Sequence, residues 1–136
     1  MTLRDIDREE LVRLKLEKST STLDDAKRII GGKMWAAGAN RLYYAAYYAV
    51  SALLLQKGYP VKTHDGVVQM FGKHFVKTGI VDREMGALYS KLFSLRLTGD
   101  YDDDYTITEN DVVSKIEATE LLITTVIELT NSNQTI

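Results

Sequence analysis

The stretch of the chain best suited to chemistry is RLYYAAYYAV, which begins at Arg41 and places four tyrosines beside one arginine. If it is helical, Arg41, Tyr44 and Tyr48 lie along one stripe of the helix surface. Tyr43 and Tyr47 then lie along the neighbouring stripe. A guanidinium held among phenol rings is suited to gripping a phosphate or stacking on a base. The same spacing also fits a core helix whose tyrosines send their hydroxyls to the rim, and spacing alone favours that interpretation.

A second candidate for phosphate binding is a basic strip in the next segment, where Asp65 is the only acid. The strip consists of Lys62, His64, Lys73, His74 and Lys77. Lys73 and Lys77 are four residues apart, so on a helix they share one face. A solvated helix face is the commoner reason for such a strip. Because the net charge of the chain is −2, no global positive field recruits nucleic acid, and any such contact must be local.

The sequence lacks the usual metal and nucleotide motifs. It has no cysteine, which excludes disulfides, thiol nucleophiles and thiolate metal sites. The two histidines are ten residues apart, and neither an HxxxH pair nor a Glu-x-x-His motif is present. No phosphate-binding glycine loop follows a strand, and no serine occupies a nucleophile elbow. We therefore predict no metal and no cofactor.

The elements that must position these residues are helices. Apolar residues recur at helical spacing, glycines supply stop signals, and the single proline, Pro60, follows the expected end of the second helix at Gly58. Residues 99–107, GDYDDDYTI, are rich in acid and turn residues and predict a solvated loop. Thr108 and Asp111 resemble a capping box that opens the last helix. The predicted helices span residues 7–30, 35–57, 64–77, 82–96 and 108–129.

These elements predict an all-α fold, an antiparallel up-and-down bundle of about five helices. No strand alternation and no internal repeat is visible, and the short connections favour antiparallel neighbours. The length of 136 residues suits one domain with a real core. The charged N-terminus lacks the apolar core of a signal peptide, and no apolar run is long enough to cross a bilayer. We therefore expect a cytoplasmic domain with no membrane contact.

Several short motifs, taken in order, resemble the small bacterial and archaeal HEPN-domain proteins. They are an R-x-YYA-x-Y helix, a KTH-x-G-V turn, a GK-x-F-V-K-x-G segment and a late R-x-x-x-DY. The first three occur in the stretch NRLYYAAYYAVSALLLQKGYPVKTHDGVVQMFGKHFVKTGIV, and the last occurs in LYSKLFSLRLTGDYDDDY. Each motif is short, but their order and spacing make the match specific. The resemblance covers roughly residues 8–130. It implies a single HEPN-like helical domain over residues 1–136, usually dimeric.

The resemblance implies several functions. Many HEPN proteins are metal-independent ribonuclease toxins, often encoded beside a minimal nucleotidyltransferase that serves as antitoxin. Others have lost the nuclease and bind RNA or nucleotides, or serve as partner subunits. Our first hypothesis is that this protein has a degenerate nuclease motif, binds RNA or nucleotide, and is the partner subunit of a minimal nucleotidyltransferase in a toxin–antitoxin-type pair. Its binding site would be lined by Arg41, Tyr44, His64, Lys73, Arg96 and Tyr101.

The nuclease signature of the family is an arginine followed, after four to six residues, by a histidine. Here the three positions that follow Arg96 at this spacing hold one tyrosine and two aspartates. A tyrosine with a pKa near ~10 is a poor base at pH 7. The alternative, an active ribonuclease, therefore requires a rearranged site in which His64 lies close to Arg41 or Arg96 in the folded protein. For this alternative, the candidate catalytic residues are His64 and Arg96.

Two further hypotheses remain open. The first is a structural homodimer or adapter whose tyrosine face is the interface, because tyrosine and arginine favour such surfaces. The second comes from the resemblance, since nucleotidyltransferase antitoxins of such pairs adenylylate a tyrosine near the HEPN motif. Tyr101 and Tyr105 are the candidates for that modification. Whether the protein is an enzyme is left open by the missing arginine–histidine pair.

Overall fold

The computed structural model describes residues 2–101 and 106–131, and within these ranges the chain is helical, with no strand. The elements are α1 (Leu3–Gly31), α2 (Trp35–Lys57), α3 (His64–Phe71), the π-helical turn (Gly72–Val76), α4 (Arg83–Tyr101), α5 (Glu109–Val113) and α6 (Ile116–Asn131). Helix α3 runs directly into the π-helical turn, and α5 is followed closely by α6, so each of these pairs forms one helical segment. The described residues therefore form five helical segments, which confirms the predicted all-α bundle.

Helix α1 begins four residues earlier than periodicity predicts. Thr2 caps it, since its hydroxyl accepts a hydrogen bond from the Asp5 amide while the Asp5 carboxylate accepts one from the Thr2 amide. The polar residues 19–22, with the sequence STST, continue the helix without a break. Ser19 is fully buried and donates a 2.6 Å hydrogen bond to the Ala45 carbonyl oxygen, so this polar stretch takes part in the contact with α2.

Helix α2 is the centre of the bundle. Its alanines at positions 45, 46, 49 and 52 are all fully buried, as are Leu53 and Leu54. Short side chains let neighbouring helices approach the α2 backbone closely. Gly58 ends the helix with φ of 81°, the left-handed conformation that a glycine adopts without strain. The prediction of a core helix over residues 35–57 is therefore confirmed.

A substitution at Gly38 tests how tightly α1 and α2 pack. A methyl group added there would lie 2.5 Å from Cγ1 of Ile30, closer than carbon atoms approach. We expect Gly38→Ala to destabilise the protein by about 1–3 kcal/mol, because overpacking outweighs the gain in helix propensity. Gly72→Ala is the matched control, since an added methyl meets nothing within 4 Å. Thermal unfolding should show the control equal to or more stable than wild type, and a stable Gly38→Ala would contradict the packing.

Helix α4 extends further than predicted. The sequence predicts a loop from Gly99 onward, and this is wrong for Gly99, Asp100 and Tyr101, which complete the last turn of α4. Two contacts explain the extension. A β-carbon at Gly99 would lie 3.4 Å from Ile107, so this turn packs against the following segment. Asp100 accepts a 3.2 Å hydrogen bond from the Asn40 amide of α2. The three aspartates 102–104 lie outside the described residues.

The last predicted helix is two helices. The capping box of Thr108 and Asp111 is confirmed, with both reciprocal hydrogen bonds present. The chain then leaves α-helical geometry at residues 114–115, where the Lys115 amide bonds to the Val112 carbonyl three residues back. Helix α6 starts at Ile116 and packs its apolar face on α2. Among the described residues, no helix is long and apolar enough to cross a membrane.

Candidate functional site

The candidate site is an aromatic cluster where α2, the start of α3 and α4 meet. At its centre is Tyr43, whose side chain is fully buried. Five other rings surround Tyr43, with centroids between 5.1 and 6.0 Å from its own, and Arg96 lies over it. We call this group the Tyr43 cluster. Its members are Tyr43, Tyr44, Tyr47, His64, Tyr89, Phe93 and Arg96.

Simple helical spacing brings these residues together. Tyr43 and Tyr47 are four residues apart on α2 and face the same side. Tyr89, Phe93 and Arg96 follow at spacings of four and three on α4, so they too share one face. His64 is the first residue of α3, and Thr63 caps that helix by accepting a hydrogen bond from the Gly66 amide at 2.9 Å. The cap fixes where the imidazole enters the cluster.

Arg96 is the most unusual member of the cluster, because it is a buried cation with little compensation from the described residues. The residue is 7% exposed, and its Cζ lies 5.2 Å from the ring centre of Tyr43 and 5.7 Å from that of Tyr44. Within the ranges that the structure describes, its carboxylate partner is Asp100, at 3.8 Å from Nη1. Its Nε is buried and has no hydrogen-bond partner among the described residues. Such a guanidinium is positioned to gain from a bound anion.

His64 adds an imidazole to the cluster. Its Nδ1 lies 2.7 Å from the Tyr43 hydroxyl oxygen, and its ring lies 4.4 Å from that of Tyr47. Partial burial lowers the pKa of His64, and the positive charge of Arg96 lowers it further. The imidazole is therefore neutral at pH 7.

Arg41 stands at the edge of the site and is tied to it through Asn40. Its Nε and Nη2 donate to Oδ1 of Asn40 at 3.0 and 2.8 Å, and its Cζ lies 5.1 Å from the ring centre of Tyr44. The amide nitrogen of Asn40 in turn donates to Asp100, which also pairs with Arg96. The two arginines are thus linked by one short polar chain. Both face the ring of Tyr44.

Four of the six residues predicted to line a binding site meet in this region, namely Arg41, Tyr44, His64 and Arg96. The other two lie apart from the cluster. Lys73 is exposed in the π-helical turn, nine residues beyond His64, and Tyr101 is 73% exposed at the last residue of α4. Tyr105 lies outside the described residues.

Sequence reasoning missed several residues that shape the site. The sequence indicates only a packing role for Tyr43, yet its hydroxyl forms a hydrogen bond with His64. Asn40 and Asp100 receive no weight from any motif, although Asp100 follows Arg96 at the i, i+4 spacing of helical ion pairs. That spacing is the available signal, but residue 100 falls within the predicted loop, where helical spacing does not apply. In the part of the chain that the structure describes, no three histidine or acidic side chains form a group that could hold a metal.

The lowered pKa of His64 predicts a pH dependence of stability. The unfolded chain binds a proton at higher pH than the folded one, so stability is complete above the ordinary histidine pKa and falls as pH drops through it. We expect the melting temperature to decrease from pH 7.5 to pH 5.5. The decrease should be smaller in His64→Gln, while the control His74→Gln keeps it. An equal decrease in wild type and His64→Gln would contradict the environment described for His64.

The fold and site together define a class of protein: a small helical bundle that keeps a buried arginine and a histidine among aromatic rings between three helices. The comparison with protein families gives the class its name, since residues 12–129 match the HEPN domain. This chain belongs to the HEPN family.

Similar proteins occur in bacteria and archaea. A UPF0332 protein of Thermotoga maritima is 38% identical over 84% of this chain and 86% of its own length. A Methanocaldococcus jannaschii protein named "Putative toxin MJ0605" is 34% identical over 85% of each chain. A second protein of that organism, named "Putative toxin MJ0142", is 33% identical over 71% of this chain and 65% of its own length.

Proposed function

We propose that this protein is an RNA- or nucleotide-binding HEPN subunit of a toxin–antitoxin-type pair, whose partner is a minimal nucleotidyltransferase. The binding site is the Tyr43 cluster together with Arg41. The names of the two Methanocaldococcus jannaschii relatives support the toxin–antitoxin context. The missing arginine–histidine pair at nuclease spacing supports binding in place of cleavage.

One observation carries the binding half of the proposal, and it is the state of Arg96. A buried guanidinium normally has carboxylates or carbonyls on most of its nitrogens, because burying an unpaired charge is expensive. Here one carboxylate lies at 3.8 Å and Nε has no partner in the described structure. A phosphate oxygen would supply the missing acceptor. Tyr44 and Tyr47 are half-buried beside it, so part of each ring is accessible for contact with a base.

Lys73 and Tyr101 extend the proposed binding surface beyond the cluster. Both are exposed, and Tyr101 follows directly after Asp100 at the end of α4. Lys73 would meet an outer phosphate of an RNA strand that leaves the site along the π-helical turn. A single nucleotide would not reach it. Lys73→Ala should therefore weaken the binding of RNA and leave the binding of a mononucleotide unchanged.

A second candidate function is metal-independent ribonuclease activity, and one specific observation favours it. His64 and Arg96 are 32 positions apart in sequence, yet both contact the rings of Tyr43 and Tyr44. An arginine that stabilises phosphate charge beside an imidazole that moves a proton is a competent pair for attack by a 2′-hydroxyl.

One experiment separates the two functions. Purified protein is incubated with labelled single-stranded RNA in EDTA, and both binding and RNA length are measured. We expect binding without cleavage, and at least tenfold weaker binding in an Arg41→Ala/Arg96→Ala double variant. Arg4→Ala/Arg8→Ala is the charge-matched control, since both arginines are exposed near the start of α1. Binding unchanged in the double variant rejects the site, and cleavage lost in His64→Ala supports the nuclease instead.

The part of the proposal that concerns the partner is that the nucleotidyltransferase adenylylates a tyrosine of this protein, with Tyr101 as the candidate in the described residues. In the proposed modification its phenol oxygen forms a bond to the α-phosphorus of ATP, pyrophosphate leaves, and the phenol proton passes to solvent. The side chain is 73% exposed, so an enzyme can reach it. Intact-mass measurement after co-expression with a neighbouring nucleotidyltransferase should show an AMP-sized addition that is lost in a Tyr101→Phe/Tyr105→Phe variant. An unmodified protein would reject this half alone.

We also propose that the protein acts as a homodimer, as the family resemblance implies. An active site shared across two copies would bring a second set of cationic side chains to the bound RNA. Light scattering at working concentration tests the assembly, and a monomer would reject both the dimer and a purely structural adapter role.

A further inference from the structure

We propose that Tyr43 is a positioning residue that fixes His64 in the neutral tautomer with its proton on Nε2. In that form the imidazole presents a hydrogen-bond donor, and no base, to whatever occupies the site. The inference concerns the same site as the proposed function, but it rests on the hydrogen bonds of the protein alone.

The first step is the hydrogen bond between Tyr43 and His64. The two atoms, the Tyr43 hydroxyl oxygen and Nδ1 of His64, are 2.7 Å apart, so one of them donates a proton to the other. Tyr43 is fully buried, and burial raises its pKa to about 12, so the phenol keeps its proton. Among the described residues, the polar neighbours of the Tyr43 hydroxyl are Nδ1 of His64 and the buried hydroxyl of Tyr89. If Nδ1 carried a proton instead, the Tyr43 proton would have to point at Tyr89, and the Tyr89 proton would then be buried without an acceptor.

The second step concerns Tyr89, whose ring stacks on that of Tyr43 with centroids 6.0 Å apart. Its hydroxyl is buried and lacks a hydrogen bond of normal geometry in the described part of the chain. Burial and the neighbouring Tyr43 raise the pKa of Tyr89 well above its ordinary value, so this phenol is protonated too. Its proton is best directed towards the Tyr43 oxygen. That oxygen can accept from Tyr89 only if its own proton points at His64.

Both steps give the same direction of donation, from Tyr89 towards Tyr43 and from Tyr43 to Nδ1 of His64. A neutral imidazole that accepts at Nδ1 carries its proton on Nε2. His64 is half-buried, and no described residue forms a hydrogen bond with its Nε2. The charged group of another helix that faces the imidazole is Arg96, which opposes protonation of the ring. The phenols that face it are those of Tyr43, Tyr44 and Tyr47.

In this arrangement, the nitrogen groups that the cluster and Arg41 offer to a ligand are all donors. Arg96 and Arg41 contribute guanidinium N–H groups, and His64 contributes Nε2–H. The matching ligand is an oxyanion with several acceptor oxygens, such as the phosphate of a nucleotide or of RNA. The same tautomer withholds the lone pair that a general base needs at Nε2. The proton arrangement therefore favours binding over cleavage, independently of the missing sequence motif.

The test is nitrogen-15 NMR of the histidine side chains in labelled protein without RNA at pH 7.5. Two-bond correlations between the ring nitrogens and carbon-bound protons distinguish the two tautomers, and a His74→Gln variant assigns the signals. We expect Nδ1 of His64 to show the signature of an unprotonated acceptor and Nε2 that of an N–H group. A protonated Nδ1 in the wild-type protein would overturn the inference, whatever the variants show.

Tyr43→Phe provides the second readout, since it removes the hydroxyl and keeps the ring. We expect a mixture of tautomers and an upward shift of the His64 pKa, because the lost hydrogen bond stabilised the neutral imidazole. Tyr47→Phe is the matched control, since Tyr47 contacts the imidazole through its ring, and it should change neither. An unaltered tautomer and pKa in a folded Tyr43→Phe variant would also overturn the inference. Because no RNA is present, failure here is distinct from failure of the proposed binding.

Discussion

Arg96→Met is expected to abolish most RNA binding while leaving the protein at least as stable as the wild type. The two effects oppose each other because Arg96 is a buried cation whose one carboxylate partner in the described part of the chain, Asp100, lies 3.8 Å away. Replacing such a charge by an apolar side chain of similar volume is often neutral or stabilising by about 1–4 kcal/mol. Methionine fits the aromatic surroundings of Tyr43, Tyr44 and Phe93, since its thioether packs well on ring edges.

The loss of binding in Arg96→Met should be large. A hydrogen bond to a charged group is worth about 1.5–3 kcal/mol, which corresponds to roughly tenfold or more in affinity. Binding is measured by fluorescence anisotropy with labelled RNA, and stability by denaturant unfolding of the same preparation. Arg8→Met controls for the general loss of one positive charge. Binding that persists in a stable Arg96→Met variant would show that the buried arginine serves packing alone.

Tyr43→Ala is expected to cause a larger loss of stability than truncation of the half-buried tyrosines of α2. Tyr43 is fully buried and contacts rings on both sides of it, from α2 and from α4. Truncating a buried aromatic side chain costs about 3–5 kcal/mol, because the cavity closes only in part. For a chain of this size that corresponds to a decrease of roughly 10–20 °C in melting temperature.

Tyr48→Ala is the matched control for this prediction. Tyr48 belongs to the same run of tyrosines but is half-buried, and Lys18 lies 4.8 Å from its ring centre. Removing it should cost about 1 kcal/mol, the scale of an exposed cation–π contact together with partial burial. Thermal unfolding followed by circular dichroism measures both variants. Equal losses for the two tyrosines would mean that Tyr43 is not the centre of the cluster.

Much of the fold was predictable because helical periodicity is a local property. The core stripe of α2, the stop at Gly58 and the capping box of Thr108 and Asp111 all follow from residues within a few positions of one another. The errors occurred where long-range contacts decide. Helix α4 continues through Asp100 because Asn40 of α2 holds that side chain, and no spacing within residues 96–101 reveals this partner.

For the site, the sequence by itself determined which residues are candidates. It indicated a phenol-rich helix with one arginine, placed Arg96 and His64 among the candidates, and showed that the nuclease spacing is missing. These conclusions depend on residue type and order, which are visible without a structure. The sequence could not show which of the neighbouring tyrosines is buried, because adjacent stripes of one helix look alike until the packing partner is known.

Only the tertiary structure decided how the candidates are combined. It buries Tyr43 and leaves Tyr48 at the rim, brings His64 and Arg96 to the same rings from positions 32 residues apart, and leaves Lys73 outside the cluster. Those outcomes depend on how α2, α3 and α4 pack against one another. Burial also shifts the titration of the site, since it raises the pKa of the Tyr43 phenol to about 12 and lowers the pKa of the His64 imidazole. Proximity and burial are properties of the packed bundle, which is why residue spacing could not supply them.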